Sequence, residues 1–154
     1  MIKKILVLFI IIQTTNCGFV PMLKNFDTSK LEIKKIEYNG KSELIYLLKN
    51  NLNINENKSA DGLIINLLIS EKTEWSRKNT SGITTEELLT ISIKLDIQDN
   101  NLKNLLKETL TESSRINVTN NLSTDDSTKN IIRNKLINEL AQKIKFKLMV
   151  LTKR

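Results

Sequence analysis

The chain has 154 residues, 40% hydrophobic and 27% charged, which suits one folded domain around a single core. Its 24 Lys and Arg against 17 Asp and Glu give a formal charge of +7 spread along the chain; this favours an anionic partner, and without interleaved aromatics it argues against nucleic acid. With no histidine and one cysteine, Ser-His-Asp and Cys-His catalysis, His-based zinc sites and an intramolecular disulfide are excluded; the acids fall in lysine-mixed polar stretches, so no catalytic residue, metal or cofactor is expected.

Residues 1–16 read as a secretory leader: Lys3 and Lys4 form a positive start, Ile5 to Ile12 an apolar stretch, and small polar residues follow. The apolar stretch would cover only about 12 Å as a helix, against ~30 Å of bilayer hydrocarbon, so it is too short for an anchor. Cys17 then resembles the acceptor of a bacterial lipobox, where the thiol is diacylglycerylated and the new N-terminus acylated. Thr14 and Asn16 stand where that pattern favours Leu and a small residue, and a free thiol on a secreted protein is the alternative. Several acyl chains anchor firmly, because each buried methylene contributes about 0.8 kcal/mol. The residue after Cys17 is glycine rather than aspartate, so the usual inner-membrane retention signal of lipoproteins is not present. Residues 17–30 suit a polar tether, and the domain is expected over 31–154.

In the domain, Leu31 to Tyr38 (LEIKKIEY) reads as a strand whose apolar parity changes between Ile33 and Ile36, which predicts a bulge at Lys34 and Lys35. Asn39-Gly40 is turn chemistry, Ser42 is an expected N-cap, and Leu44, Leu47, Leu48 and Leu52 share one face of a helix over about 42–53. In the next strand Leu63, Ile65, Leu67 and Ile69 form one face, while Ile64 and Leu68 make the other partly apolar, so a central or covered strand is expected. After a polar stretch with Asn79-Thr80-Ser81-Gly82 as its turn, Leu89, Ile91, Ile93, Leu95 and Ile97 alternate with polar residues. The two strands predict a long hairpin with apolar roots in the sheet and a projecting polar tip.

A second turn at 99–101 leads to a segment expected to be a strand over most of 105–119, although its first half also fits a helix. The last element is a long helix: Ser123 is an expected cap, Asp125 and Asp126 suit its first turn, and Ile132, Leu136, Leu140, Ile144 and Leu148 recur every four residues. The order is β-α-β-β-β-α, an α+β fold with a four-stranded sheet and two helices on one face.

A leader, the stretch Cys17-Gly18-Phe19 with Pro21 behind it, this element order, the hairpin and the final amphipathic helix together resemble the LPS-assembly lipoprotein family of Gram-negative bacteria, LptE-like. The resemblance implies an outer-membrane lipoprotein that faces the periplasm and barrel lumen. It would plug and support the LPS-assembly outer-membrane β-barrel and assist lipopolysaccharide insertion into the outer leaflet, without catalysing a reaction. It implies Cys17 as the lipid attachment site and the hairpin segment EKTEWSRKNTSG as the place to look for lipopolysaccharide contacts, with Lys72, Arg77 and Lys78 toward phosphates and Trp75 beside them. Phe19 and Pro21 become barrel contacts. Two alternatives stand beside this: the hairpin residues form a solvated tip, or the chain is another periplasm-facing lipoprotein acting as an envelope scaffold or protein-binding module.

Overall fold

The structure, a computed structural model, describes residues 31–57, 61–119 and 121–152. The leader, Cys17, Phe19 and Pro21 lie outside the described residues. Six elements follow in the expected order: β1 (Ile33–Asn39), α1 (Ser42–Leu52), β2 (Leu63–Lys78), β3 (Thr84–Gln98), β4 (Asn104–Asn117) and α2 (Leu122–Thr152). The strands lie side by side in chain order, β1 parallel to β2 and the other neighbours antiparallel. The parallel pair needs a crossover, which α1 supplies.

The core sits on one face of the sheet. Leu89, Ile91, Ile93, Leu95 and Ile97 of β3 are buried beside Ile65, Leu67 and Ile69 of β2. The helices close this face with Leu44, Leu48 and Leu52 from α1 and Leu136, Ile137, Leu140, Ala141, Ile144 and Leu148 from α2. Each such Leu or Ile side chain contributes roughly 1.5–3 kcal/mol on burial, so these stripes hold the two layers together. No buried polar or charged residue interrupts them among the described residues.

The parity change in β1 is a bulge: the register with β2 shifts between Ile33 and Lys35, which returns both Ile33 and Ile36 to the core. β2 is central, as expected, but its second face is uncovered; Leu68 is 43% exposed. Both expected helix caps are corrected. Ser42 is the first helical residue of α1, the capping position is Lys41, and no side chain bonds there. At α2 the cap is Asn121, whose Oδ1 accepts from the Thr124 N–H at 3.3 Å, while Ser123 lies inside the helix. Asp125 in the first turn reaches back to accept from the Thr119 N–H and hydroxyl at 2.9 and 2.8 Å. The doubtful first half of β4 is strand from Asn104 onward.

The two hairpin loops share one construction. In 79–83, Asn79 Oδ1 accepts the N–H groups of Ser81 and Ile83, and the Gly82 N–H returns to the Asn79 carbonyl at 3.0 Å. In 99–103, Asp99 Oδ1 accepts from Asn101 and Lys103, and the Leu102 N–H returns to the Asp99 carbonyl at 3.0 Å. The fourth position is left-handed in both, Gly82 at φ 79° and Leu102 at φ 60°. Leucine is disfavoured there by roughly 1–2 kcal/mol. Elsewhere, Gly40 at φ 134° also permits close approach, since a Cβ on it would stand 2.4 Å from the Ile69 carbonyl oxygen.

Candidate functional site: the distal β2–β3 hairpin

Beyond Leu68, which pairs with Asn39 at the end of β1, strand β2 continues alone on that side for ten more residues to Lys78. This distal stretch carries Lys72, Trp75, Arg77 and Lys78. The structure does not gather them into one patch. Lys72 points to the uncovered face and forms an ion pair with Glu74 at 2.9 Å. Trp75 has the opposite parity, stands across from Glu87 on the helix side, and remains 66% exposed. Lys78 curls over the indole, its Nζ 4.9 Å from the ring centroid, a cation–π contact. Arg77 sits between two register shifts and is exposed. The group the structure assembles is therefore Trp75 with Lys78.

Acids are interleaved with these cations. Glu86 accepts from the Ser76 hydroxyl at 2.7 Å and faces Arg115 at 3.7 Å. On the helix side, Glu87 meets Lys129 of α2 at 3.5 Å. A depression of about 310 Å³ opens here, lined by Glu87, Ile116, Val118, Leu122, Asp125, Asp126 and Lys129. Three carboxylates against one ammonium make it a poor seat for a phosphate.

The base of the stretch is fixed by a clamp that the sequence reading missed. Arg133 of α2 forks onto Glu71, with Nε to Oε2 at 2.5 Å and Nη2 to Oε1 at 3.0 Å, and also reaches Glu43 of α1 at 3.2 Å. Asn130 Oδ1 accepts from the same guanidinium. Both Arg133 and Glu71 side chains are 13% exposed. The Arg133 hydrogen bonds outweigh the burial of Glu71 and hold its carboxyl below the usual range; the same contacts raise Arg133. One signal was available: Glu71 lies on the parity of Ile65, Leu67 and Ile69, and an acid on a core-facing parity announces a partner.

On the uncovered face, the hydroxyls of Ser92 and Thr111 hydrogen-bond across strands at 3.0 Å. Toward β1, a shallow hollow of about 360 Å³ includes Asn66, Leu68, Lys94, Asp96, Lys107 and Thr109. Among the described residues no cluster of His, Cys, Asp and Glu fits a metal ion, and no helix is long and apolar enough to cross a membrane.

The family model for lipopolysaccharide-assembly, LptE, matches residues 30–148. No curated protein matches in sequence. Among solved structures, the crystal structure of rare lipoprotein B from Shewanella oneidensis is similar with a TM-score of 0.60 at 11% identity, over 77% of this chain and 96% of that one. A minor lipoprotein from Acinetobacter baumannii gives a TM-score of 0.57 at 18% identity, over 77% and 92%. The solution structure of a lipoprotein B from Nitrosomonas europaea gives 0.56 at 12%, over 75% and 81%. At these identities the likeness establishes the fold.

Proposed function

The chain belongs to the LptE lipopolysaccharide-assembly family, and from this premise we propose that it is an outer-membrane lipoprotein that plugs and supports the LPS-assembly β-barrel and assists lipopolysaccharide insertion into the outer leaflet. In this reading residues 1–16 are removed, Cys17 carries the lipid, and 17–30 tether the domain, with Phe19 and Pro21 meeting the barrel near the membrane.

The observation that carries the reading is the family match across the domain. The uncovered sheet face supports it. Apart from Ile64, Leu68, Leu88 and Leu105 it carries Ser, Thr, Asn and charged residues, and this mostly polar face suits the water-filled lumen of a wide barrel, whose interior is polar. The function requires no catalysis, only occupancy and contact.

The test is isolation of the native lipoprotein from membranes in mild detergent, with mass spectrometry of what accompanies it. A stoichiometric outer-membrane barrel is the expected result. Intact lipidation without a barrel would move the assignment to an envelope scaffold.

Lipopolysaccharide contact is assigned in this reading to the distal hairpin: Lys78 held over Trp75, and Arg77 beside them, offer cations next to an amphipathic ring. Lys72, on the other face, would contribute separately. Lys72→Glu, Arg77→Glu and Lys78→Glu combined should weaken lipopolysaccharide binding at least tenfold, about 1.4 kcal/mol, while barrel association persists. Unchanged affinity would remove the hairpin from the contact.

A further inference from the structure

The loop 99–103 keeps a leucine in a backbone position that its twin, 79–83, gives to glycine. Among the described residues no packing explains the choice, because Leu102 is 68% exposed. A strained, outward-pointing apolar residue implies a contact outside the fold.

The position of the loop in the fold identifies that contact. Lys34 Nζ donates to Asn100 Oδ1 at 2.5 Å, so the loop lies at the end of the sheet where the described chain begins with Leu31 and β1. The same end collects other exposed apolar side chains. Leu105, at the start of β4, is 40% exposed. Glu112 pairs with Lys143 and Glu108 with Lys147, so α2 runs antiparallel to β4 and brings Val150, 41% exposed, to this end. Among the described residues Lys34, Lys103 and Lys107 stand here with Glu32, Asp61 and Asp99, so neither sign of charge dominates around these apolar side chains. That composition suits a phospholipid interface better than an acidic protein.

Residues 17–30 connect this end to Cys17 and span at most about 50 Å when fully extended. A lipid on Cys17 would therefore hold this end near a bilayer at high effective concentration, where one or two leucines suffice for a contact too weak to form from free solution. We infer that the β3–β4 loop touches the phospholipid leaflet that anchors the chain, with Leu102 inserted at the boundary between headgroups and acyl chains. The inference rests on the lipid-anchor reading of Cys17.

The experiment uses the full lipidated protein in vesicles of phosphatidylethanolamine and phosphatidylglycerol with brominated acyl chains, which quench tryptophan on contact. The native protein has one tryptophan, Trp75, on the order of 35 Å from the loop along the strands, and it serves as the control. Trp75→Phe with Leu102→Trp moves the reporter to the loop. Quenching at position 102 should be at least about threefold that at Trp75. Equal quenching in protein that floats with the vesicles would overturn the loop contact and leave the anchor standing, whereas protein that does not float would overturn both. If the tryptophan variant does not fold, Leu102→Cys carrying a nitroxide reads the same depth by relaxation with oxygen against a water-soluble nickel complex. Greater nickel than oxygen accessibility would overturn the contact.

Discussion

The β2–β3 ladder is one continuous hairpin with two different physical halves. In the proximal half, the helix-facing positions are Ile65, Leu67 and Ile69 against Ile97, Leu95 and Ile93, all nearly or fully buried. In the distal half the same parity keeps Leu89 and Ile91 of β3 buried but places Glu71, Trp75 and Glu87 beside them, and α2 meets the two carboxylates with Arg133 and Lys129. The first half is sealed by aliphatic side chains on both strands, whereas in the second the seal is confined to β3 and directed ion pairs hold the β2 side. The difference separates stability from contact: β3 carries the apolar seal into the distal half, while the ring and cations of β2 beyond it stay exposed.

The largest expected effect breaks the proximal half. Ile93→Ala removes a fully buried side chain from the middle of β3 and should cost about 2–5 kcal/mol, read from urea unfolding. Trp75→Ala, in the distal half, should stay within about 0.5 kcal/mol because its ring is mostly in water. Comparable losses at the two positions would show that the Trp75 ring is packed after all.

The second effect addresses the clamp. Arg133→Met leaves Glu71 mostly enclosed without its fork of donors, and should cost about 1–3 kcal/mol. Glu71→Gln with Arg133→Met should recover part of that loss, because no charge is then stranded. The pH dependence has a definite sign. The Glu71 carboxyl is held below its usual range by the Arg133 hydrogen bonds, so its contribution is complete above the ordinary carboxylate pKa and disappears as the pH falls through the depressed folded value. Acid unfolding curves of Arg133→Met should therefore be flatter across that window than those of the parent protein. Identical slopes would mean that Glu71 does not report on the clamp.

The same contrast separates what was legible in the sequence from what was not. The β3 alternation and the parity change at Lys34 and Lys35 were readable because one face of each strand is sealed, and a sealed face fixes parity. β4 was ambiguous because Glu108 and Glu112 occupy its inward parity between Leu106, Leu110 and Ile116. Their partners, Lys147 and Lys143, are supplied by a helix far along the chain, which local periodicity does not show. The helix caps were misread for a similar reason: at α2 the nearby Asn121 and the back-reaching Asp125 take the role assigned to Ser123. At the candidate site, residue types were readable but grouping was not. Strand parity already separates Lys72 from Trp75, whereas the curl of Lys78 over the indole depends on the two register shifts around Arg77.

The smallest expected effect compares the two loops, which share hydrogen bonding and differ at the left-handed position. Leu102→Gly removes the Cβ penalty, roughly 1–2 kcal/mol, but adds unfolded-state freedom that offsets about 0.5–1. The net expectation is a gain of about 0.5–1 kcal/mol, a rise in Tm of a few degrees for a domain of this size. Gly82→Ala is the reciprocal change and should lose about 1 kcal/mol, since open space around Gly82 leaves backbone conformation as the only cost. Opposite signs in the two loops would establish that leucine is held at 102 against the preference of its own backbone. A loss on Leu102→Gly would instead place the side chain in a stabilising contact within the domain, and remove the reason to look for one outside it.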